Sequence, residues 1–377
     1  MSADTVLPAR GVSDVFVETA AGTTEDLQPL TRPHLRYLDG LRGVAILMVL
    51  MIHSGQLVIG LATPVRNFVF YGVRGVQLFF IVSGLTLMLN YADKRINLVN
   101  FAARRFFRIA PMFYAGALLY LLLCVVTRAA LPTRSASGID VAATFLFVHG
   151  WLPSAINTVV PGGWSVAAEA MFYVIFPAIL ILARRRRAMM LALLATYVIA
   201  GITNLALRRL IPGPTGQAFA LYFWVVQLPA FVGGCWLAGQ PQRAEHRGVG
   251  QVALAIGIVA LVIDSQLRGH SSLLVAVGLL TLVTWAAGVV RPPWLEGRIL
   301  PFIGQISFSL YILQFAVLAA LHPFAPGIER AIGPVSAFVA IFTCATAISG
   351  ALSYITYKWI ERPIIRATRR LGLRNGT

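Results

Sequence analysis

Long uncharged intervals constrain this chain more than any other feature. With histidine set aside, it runs free of ionisable residues over 43–65, 75–92, 109–127, 141–168, 188–207, 210–242, 269–290, 299–328 and 331–357. A bilayer-crossing helix needs about 20 mostly apolar residues, because hydrocarbon offers the backbone no hydrogen-bond partner. The intervals meet or approach that length repeatedly. With 58% hydrophobic and 12% charged residues, the chain has too little charge for an ordinary water-soluble surface. The fold class that follows is all-α, a polytopic integral membrane bundle of about ten transmembrane helices.

Ten spans fit at roughly 40–62, 71–90, 109–128, 164–183, 188–207, 217–239, 249–264, 270–290, 301–321 and 331–357. The formal charge of +17 would suggest nucleic acid in a soluble protein. Here the accumulation of Lys and Arg in short cytoplasmic loops accounts for it, and no nucleic-acid partner is expected. With 93–108 placed inside, 23 of the 31 basic residues fall on the cytoplasmic side and 8 outside. Both termini are then cytoplasmic, and the expected location is a bacterial inner or plasma membrane. An eleventh span over 141–160 would put Arg184–Arg187 outside. Residues 130–163 therefore read as an external loop with an interfacial or re-entrant piece, broken by Pro132, Pro153 and Pro161.

The first 30 residues hold five acids and one base and lack the features of a signal peptide. The expected organisation is a disordered cytoplasmic tail over 1–35, one membrane domain over 36–363 and a basic cytoplasmic tail over 364–377. Cys124, Cys235 and Cys344 all fall in expected spans without metal-ligand spacing, so no metal and no disulfide framework is expected.

Polar residues at membrane depth are costly and kept only when paired or functional. Among the acids, only Asp39 and Glu169 are expected close to hydrocarbon; His53 is the histidine well inside a span, and His149 sits in the ambiguous loop. Arg42 and His53 are eleven positions apart, which on a helix is about 20° beyond three turns and about 16 Å of rise. The two share a face, with Arg42 at the cytoplasmic surface and His53 deeper. That geometry suits an activated acyl donor with a charged head, and an imidazole can act as general base on a hydroxyl. It also suits a histidine that merely bridges two helices.

Glu169 needs a cationic or hydrogen-bonding partner. It could support a positive His53 or pair with an arginine to hold the bundle. In FAARRFFRIAP, Arg104 and Arg108 stand four apart on one helical face beside Arg105. Guanidinium forks suit phosphate oxygens, although basic loops also serve topology alone.

These elements together resemble the integral membrane acyltransferase family 3. The run Tyr37-Leu38-Asp39-Gly40-Leu41-Arg42-Gly43 followed by His53 is similar to its opening signature, and GVQLFFIVSGL from Gly75 to Leu85 to its second-span element. Arg104, Arg105, Arg108 and Pro111 match its basic loop, Trp164-Ser165 through Glu169 to Phe172-Tyr173 its central element, with His149 upstream. Gly304 to Tyr311 and Glu361-Arg362-Pro363 match the closing elements. The resemblance covers about 36–363, in order.

It implies acyl transfer, commonly acetyl from acetyl-coenzyme A, to extracytoplasmic sugars and other hydroxyl acceptors. His53 and Glu169 would be catalytic, and Arg42, Arg104, Arg105 and Arg108 would hold acyl-coenzyme A as a donor cosubstrate, with no permanently bound cofactor. The chain departs from the pattern at Ala170 and Ala167, and has Gln314 where a histidine often stands. The expected partners are a carbohydrate, glycolipid or other hydroxyl acceptor and membrane lipid, with a separate acyl-receiving protein or a second copy left open. The alternative reading is a transporter of a lipid-linked or small polar substrate without acyl transfer.

Overall fold

The computed structural model of the chain describes residues 36–92, 94–126, 135–240, 244–266 and 273–370. The tail expected over 1–35, residues 371–377 and the loop arginines 128, 134 and 268 lie outside them. Among the described residues there is no strand. Ten helical segments among these residues are long and apolar enough to cross a membrane: α1 Arg36–Gly55, α2 Thr63–Tyr91, α3 Leu98–Val126, α4 Gly163–Ala183, α5 Arg186–Leu210, α6 Pro214–Leu237, α7 Arg247–Gln266, α8 Leu273–Val290, α9 Ser307–Ile332 and α10 Pro334–Thr368. The chain is an integral membrane, all-α protein.

Several boundaries differ from the sequence reading for local reasons. The first span stops at Gly55, and a new helix starts at Thr63 with Pro64 in its first turn, where the missing proline N–H costs nothing. The expected span over 301–321 is broken at Ile306, leaving a separate short helix, Ile299–Gln305. The final span continues past 357 through a π-helical turn, Tyr357–Glu361, into Arg362–Arg370. Residues 364–370, read as the start of a basic tail, therefore extend this helix.

Close helix packing rests on glycine. In lipid there is little hydrophobic drive between helices, so small residues that admit a neighbouring backbone are favoured. A Cβ on Gly84 of α2 would lie 2.1 Å from the Phe231 carbonyl oxygen of α6, and one on Gly234 would lie 2.0 Å from that of Ile81. The short helix Ile299–Gln305 docks on α1 in the same way: Cβ atoms at Gly43 and Gly304 would meet the carbonyl oxygens of Leu300 and Asp39 at 2.3 and 1.9 Å. These contacts bring Asp39 and Arg42 to the inner wall of the bundle. By contrast, α5 and α7 expose apolar side chains such as Leu194, Val198, Ile202 and Val259, as a surface facing acyl chains should.

Residues 135–162 hold only the eight-residue helix Gly138–Phe145 and a 3₁₀ turn, His149–Trp151. Neither is long enough to cross, in line with the expected non-spanning loop. Ser137 and Asp140 form a reciprocal capping box on the first helix, and the Ser137 N–H together with the Ser154 and Ser137 hydroxyls holds the Asp140 carboxyl below its ordinary pKa.

Candidate active site

A cavity of ≈ 360 Å³ opens between α1, α2, α3, α4, α9 and the last helix. Its lining on α2 runs from Leu87 to Val76, eleven residues or about 16 Å of helix. Arg104, Arg105 and Arg108 on α3 line one end with Ile365 and Thr368; Val76, Phe80, Ser165, Val166 and Tyr311 line the other.

Each arginine is held differently. Arg42 donates from Nη1 to Asp39 at 2.8 Å and from Nη2 to Thr86 Oγ1 at 2.9 Å. Arg108 donates from Nη1 to Glu361 Oε2 at 2.7 Å, and the other oxygen of that buried carboxylate accepts from the Ser309 hydroxyl. Arg104 donates from Nε to the Asn100 carbonyl and lies over the Tyr91 ring. Arg105 sits against three rings, Tyr91, Phe101 and Tyr173, with its carbon 5.6 to 5.9 Å from their centroids. Its buried Nε has no hydrogen-bond partner among the described residues. Aromatic faces attract guanidinium and keep its plane oriented. Four guanidinium groups line a cavity whose own acidic side chains are Asp39 and Glu169, so the site favours an anionic guest.

Glu169 lines the same cavity, but its partners are hydroxyls. Oε1 accepts from Ser83 at 2.9 Å and from Tyr173 at 2.6 Å. Neither alternative from the sequence, support of His53 or a direct arginine pair, is among these bonds. Tyr173 bridges the two charge types, since its hydroxyl meets Glu169 while its face meets Arg105.

His53 lies in the last turn of α1 and does not line the cavity. Its Nδ1 is 3.0 Å from Gln56 Oε1, and its ring packs on Phe315 with centroids 4.5 Å apart. Phe315 in turn meets Tyr311, at 6.3 Å. Tyr311 is the point where this chain of rings reaches the cavity. Its hydroxyl donates to the Gly162 carbonyl at 2.9 Å and accepts from Ser165 Oγ at 3.0 Å. The structure thus groups Arg42, Arg104, Arg105, Arg108 and Glu169 around one cavity and sets His53 beyond its inner wall.

Several participants were given no role in the sequence reading, although all but Thr86 fell inside its motifs. Ser83, Thr86, Tyr173 and Glu361 are bonded directly to expected site residues, and Ser309 to Glu361; Tyr173 alone had a local signal, four residues after Glu169 on one helical face. The expectation that only Asp39 and Glu169 lie near hydrocarbon needs correction. Asp264, near the end of α7, is buried, accepts from the Tyr71 hydroxyl at 2.5 Å and faces Arg74, itself buried; Glu361 is buried as well. Asp264 closes the expected span 249–264 and Glu361 follows 331–357 by four residues, where sequence cannot show that a neighbouring helix covers them. His149 is buried against Phe113, with Nε2 3.0 Å from the Gly163 carbonyl. Because a carbonyl only accepts, Nε2 carries a proton, and burial pushes the imidazole below its ordinary pKa. It is packed inside the protein and does not line the cavity.

The model of acyltransferase family 3, described as an acyltransferase domain, matches residues 35–354. The exopolysaccharide production protein ExoZ of Rhizobium meliloti (strain 1021) is 28% identical over 323 residues, covering 79% of this chain and 91% of that protein. The O-acetyltransferase OatA of Staphylococcus aureus (strain NCTC 8325 / PS 47) is 25% identical over 369 residues, 88% of this chain. A putative O-acetyltransferase of S. aureus strain COL, SACOL0978, is 24% identical over 369 residues, 86% of this chain. The chain spans 57% and 56% of the length of these two staphylococcal relatives. No solved structure gives a significant match. With ten apolar helices and a family model that covers most of its length, the chain belongs to acyltransferase family 3 and is an integral membrane acyltransferase.

Proposed function

We propose that the protein is an O-acyltransferase that takes an acyl group, acetyl in the first instance, from acyl-coenzyme A and delivers it to a hydroxyl of a sugar, glycan or glycolipid. The observation that carries the reading is the cavity itself: four guanidinium groups on a passage about 16 Å long, comparable to an extended phosphopantetheine arm. The names of the relatives, an exopolysaccharide production protein and O-acetyltransferases, support a glycan acceptor.

In this reading the donor enters from the arginine side, which faces the cytoplasm, with both termini on that side. Arg104, Arg105 and Arg108 hold the phosphates, and the thioester lies at the inner end near Ser165 and Tyr311. Gln56 Oε1 accepts from Nδ1–H of His53, which leaves Nε2 basic. Nε2 takes the proton of the acceptor hydroxyl as its oxygen attacks the thioester carbonyl. The C–S bond then breaks, and the coenzyme A sulfur leaves with the proton returned by His53. Glu169, held by Ser83 and Tyr173, fixes the carboxylate edge of the cavity and limits its positive potential. A separate acyl-receiving protein or a second copy of the chain remains compatible with the same donor side.

The test is transfer of labelled acetyl from acetyl-coenzyme A to an oligosaccharide by purified protein in proteoliposomes. His53→Gln should lower kcat at least about 100-fold, the usual worth of a general base, in protein that still inserts and purifies normally. Arg104→Gln should raise KM for acetyl-coenzyme A far more than for acetyl-pantetheine, which lacks the nucleotide phosphates. Retention of more than a tenth of the activity by H53Q would remove the base role. Counterflow of an intact substrate without acetyl transfer would favour the transporter reading instead.

A further inference from the structure

Two rings in succession, Tyr311 and then Phe315, lead from the inner end of the cavity to His53. Tyr311 lines the cavity and His53 does not, and Phe315 touches both, at centroid distances of 6.3 and 4.5 Å. The two partition rings are not equally fixed. Tyr311 is buried and tied by its hydroxyl to the Gly162 carbonyl and to Ser165. Phe315 is half-buried and, being a hydrocarbon ring, has no polar tie to hold it.

Gly162 closes the partition from above. Its φ of +79° is in the left-handed region, and a Cβ there would lie 2.7 Å from the Tyr311 hydroxyl and 3.0 Å from Phe315 Cε2. Its N–H is held by Asn157 Oδ1 at 2.6 Å. The backbone roof therefore sits close to both rings and is itself anchored, so of the two rings Phe315 is the one that can turn without breaking a hydrogen bond.

We propose that Phe315 is the specificity-determining residue for acyl length. The inference rests on the donor reading above. An arm extended from the arginines uses the length of the cavity, so the acyl carbons beyond the thioester must lie where Phe315 stands. A methyl group needs a small turn of that ring to bring the carbonyl to His53, and each further methylene needs a larger one. In an apolar pocket one methylene is worth about 10–200-fold in kcat/KM. The two additional methylenes of butyryl should therefore be disfavoured by at least about 100-fold.

The experiment compares kcat/KM for acetyl-, propionyl- and butyryl-coenzyme A in proteoliposomes containing the wild type, Phe315→Ala and Phe315→Leu. The expected result is a wild-type preference for acetyl over butyryl of about 100-fold or more, falling to within about tenfold in F315A and to an intermediate value in F315L. If F315A fails to fold, F315L alone should show the narrowing. Equal fractional losses for all three donors would make Phe315 a purely structural residue and overturn the proposal. A wild type that uses butyryl as well as acetyl would overturn it directly. A wild type that transfers from no coenzyme A donor would overturn it by removing the donor reading itself, a failure distinguishable from the other two.

Discussion

The ion pair between Arg108 and Glu361 joins residues 253 positions apart, and removing its two ends should have unequal effects. The Glu361 side chain is 2% exposed and the Arg108 side chain 36%. In Arg108→Gln the carboxylate remains buried, with the Ser309 hydroxyl as its remaining bonded partner. An uncompensated buried charge costs about 3–5 kcal/mol. In Glu361→Gln the guanidinium keeps a route to cavity water, and the new amide can still accept from Arg108. The loss is then nearer that of one hydrogen bond to a charged group, about 1.5–3 kcal/mol. The double variant carries no isolated charge and should recover part of the R108Q loss, with a coupling of about 0.5–3 kcal/mol. Reversible unfolding in mixed micelles, read by tryptophan fluorescence, gives the four free energies. E361Q costing more than R108Q, or strict additivity in the double variant, would refute the assignment of Glu361 as the buried, charge-dependent partner.

Two further outcomes test the architecture. Gly84→Leu should abolish recovery of monodisperse protein by gel filtration, because its first side-chain atom alone would fall 2.1 Å from the Phe231 carbonyl oxygen; Gly138→Leu, where nothing lies within 4 Å of a Cβ, is the matched control that should purify normally. In a cysteine-free background, a single cysteine at Ser137 should react with an impermeant maleimide in intact cells and one at Lys94 should not, and the reverse pattern would invert the topology.

The bundle and the cationic side of the site were legible in the sequence because their physics is local. Hydrocarbon demands about 20 apolar residues for each crossing, so long uncharged intervals located most of the spans. Likewise, Arg104 and Arg108, four apart on α3, had to share a face. Sequence motifs also marked Glu169 as a catalytic candidate, but of its two partners only Tyr173 was local. Ser83 and Tyr173, rather than His53, hold it, and Arg108 is met by a glutamate from the far end of the chain.

Helical periodicity orients a side chain about its own axis without saying which helix faces it, and in lipid no solvent contrast singles out the partner. That choice was made by backbone approach at Gly43, Gly84, Gly234 and Gly304, by the break at Ile306 and by the π-helical turn before Arg362. The same limit applies to His53. Its eleven-residue spacing from Arg42 put both on one face of α1, as the continuous helix bears out. Yet Arg42 lines the cavity and His53 does not, and only tertiary packing could place Phe315, from another helix, against the His53 ring.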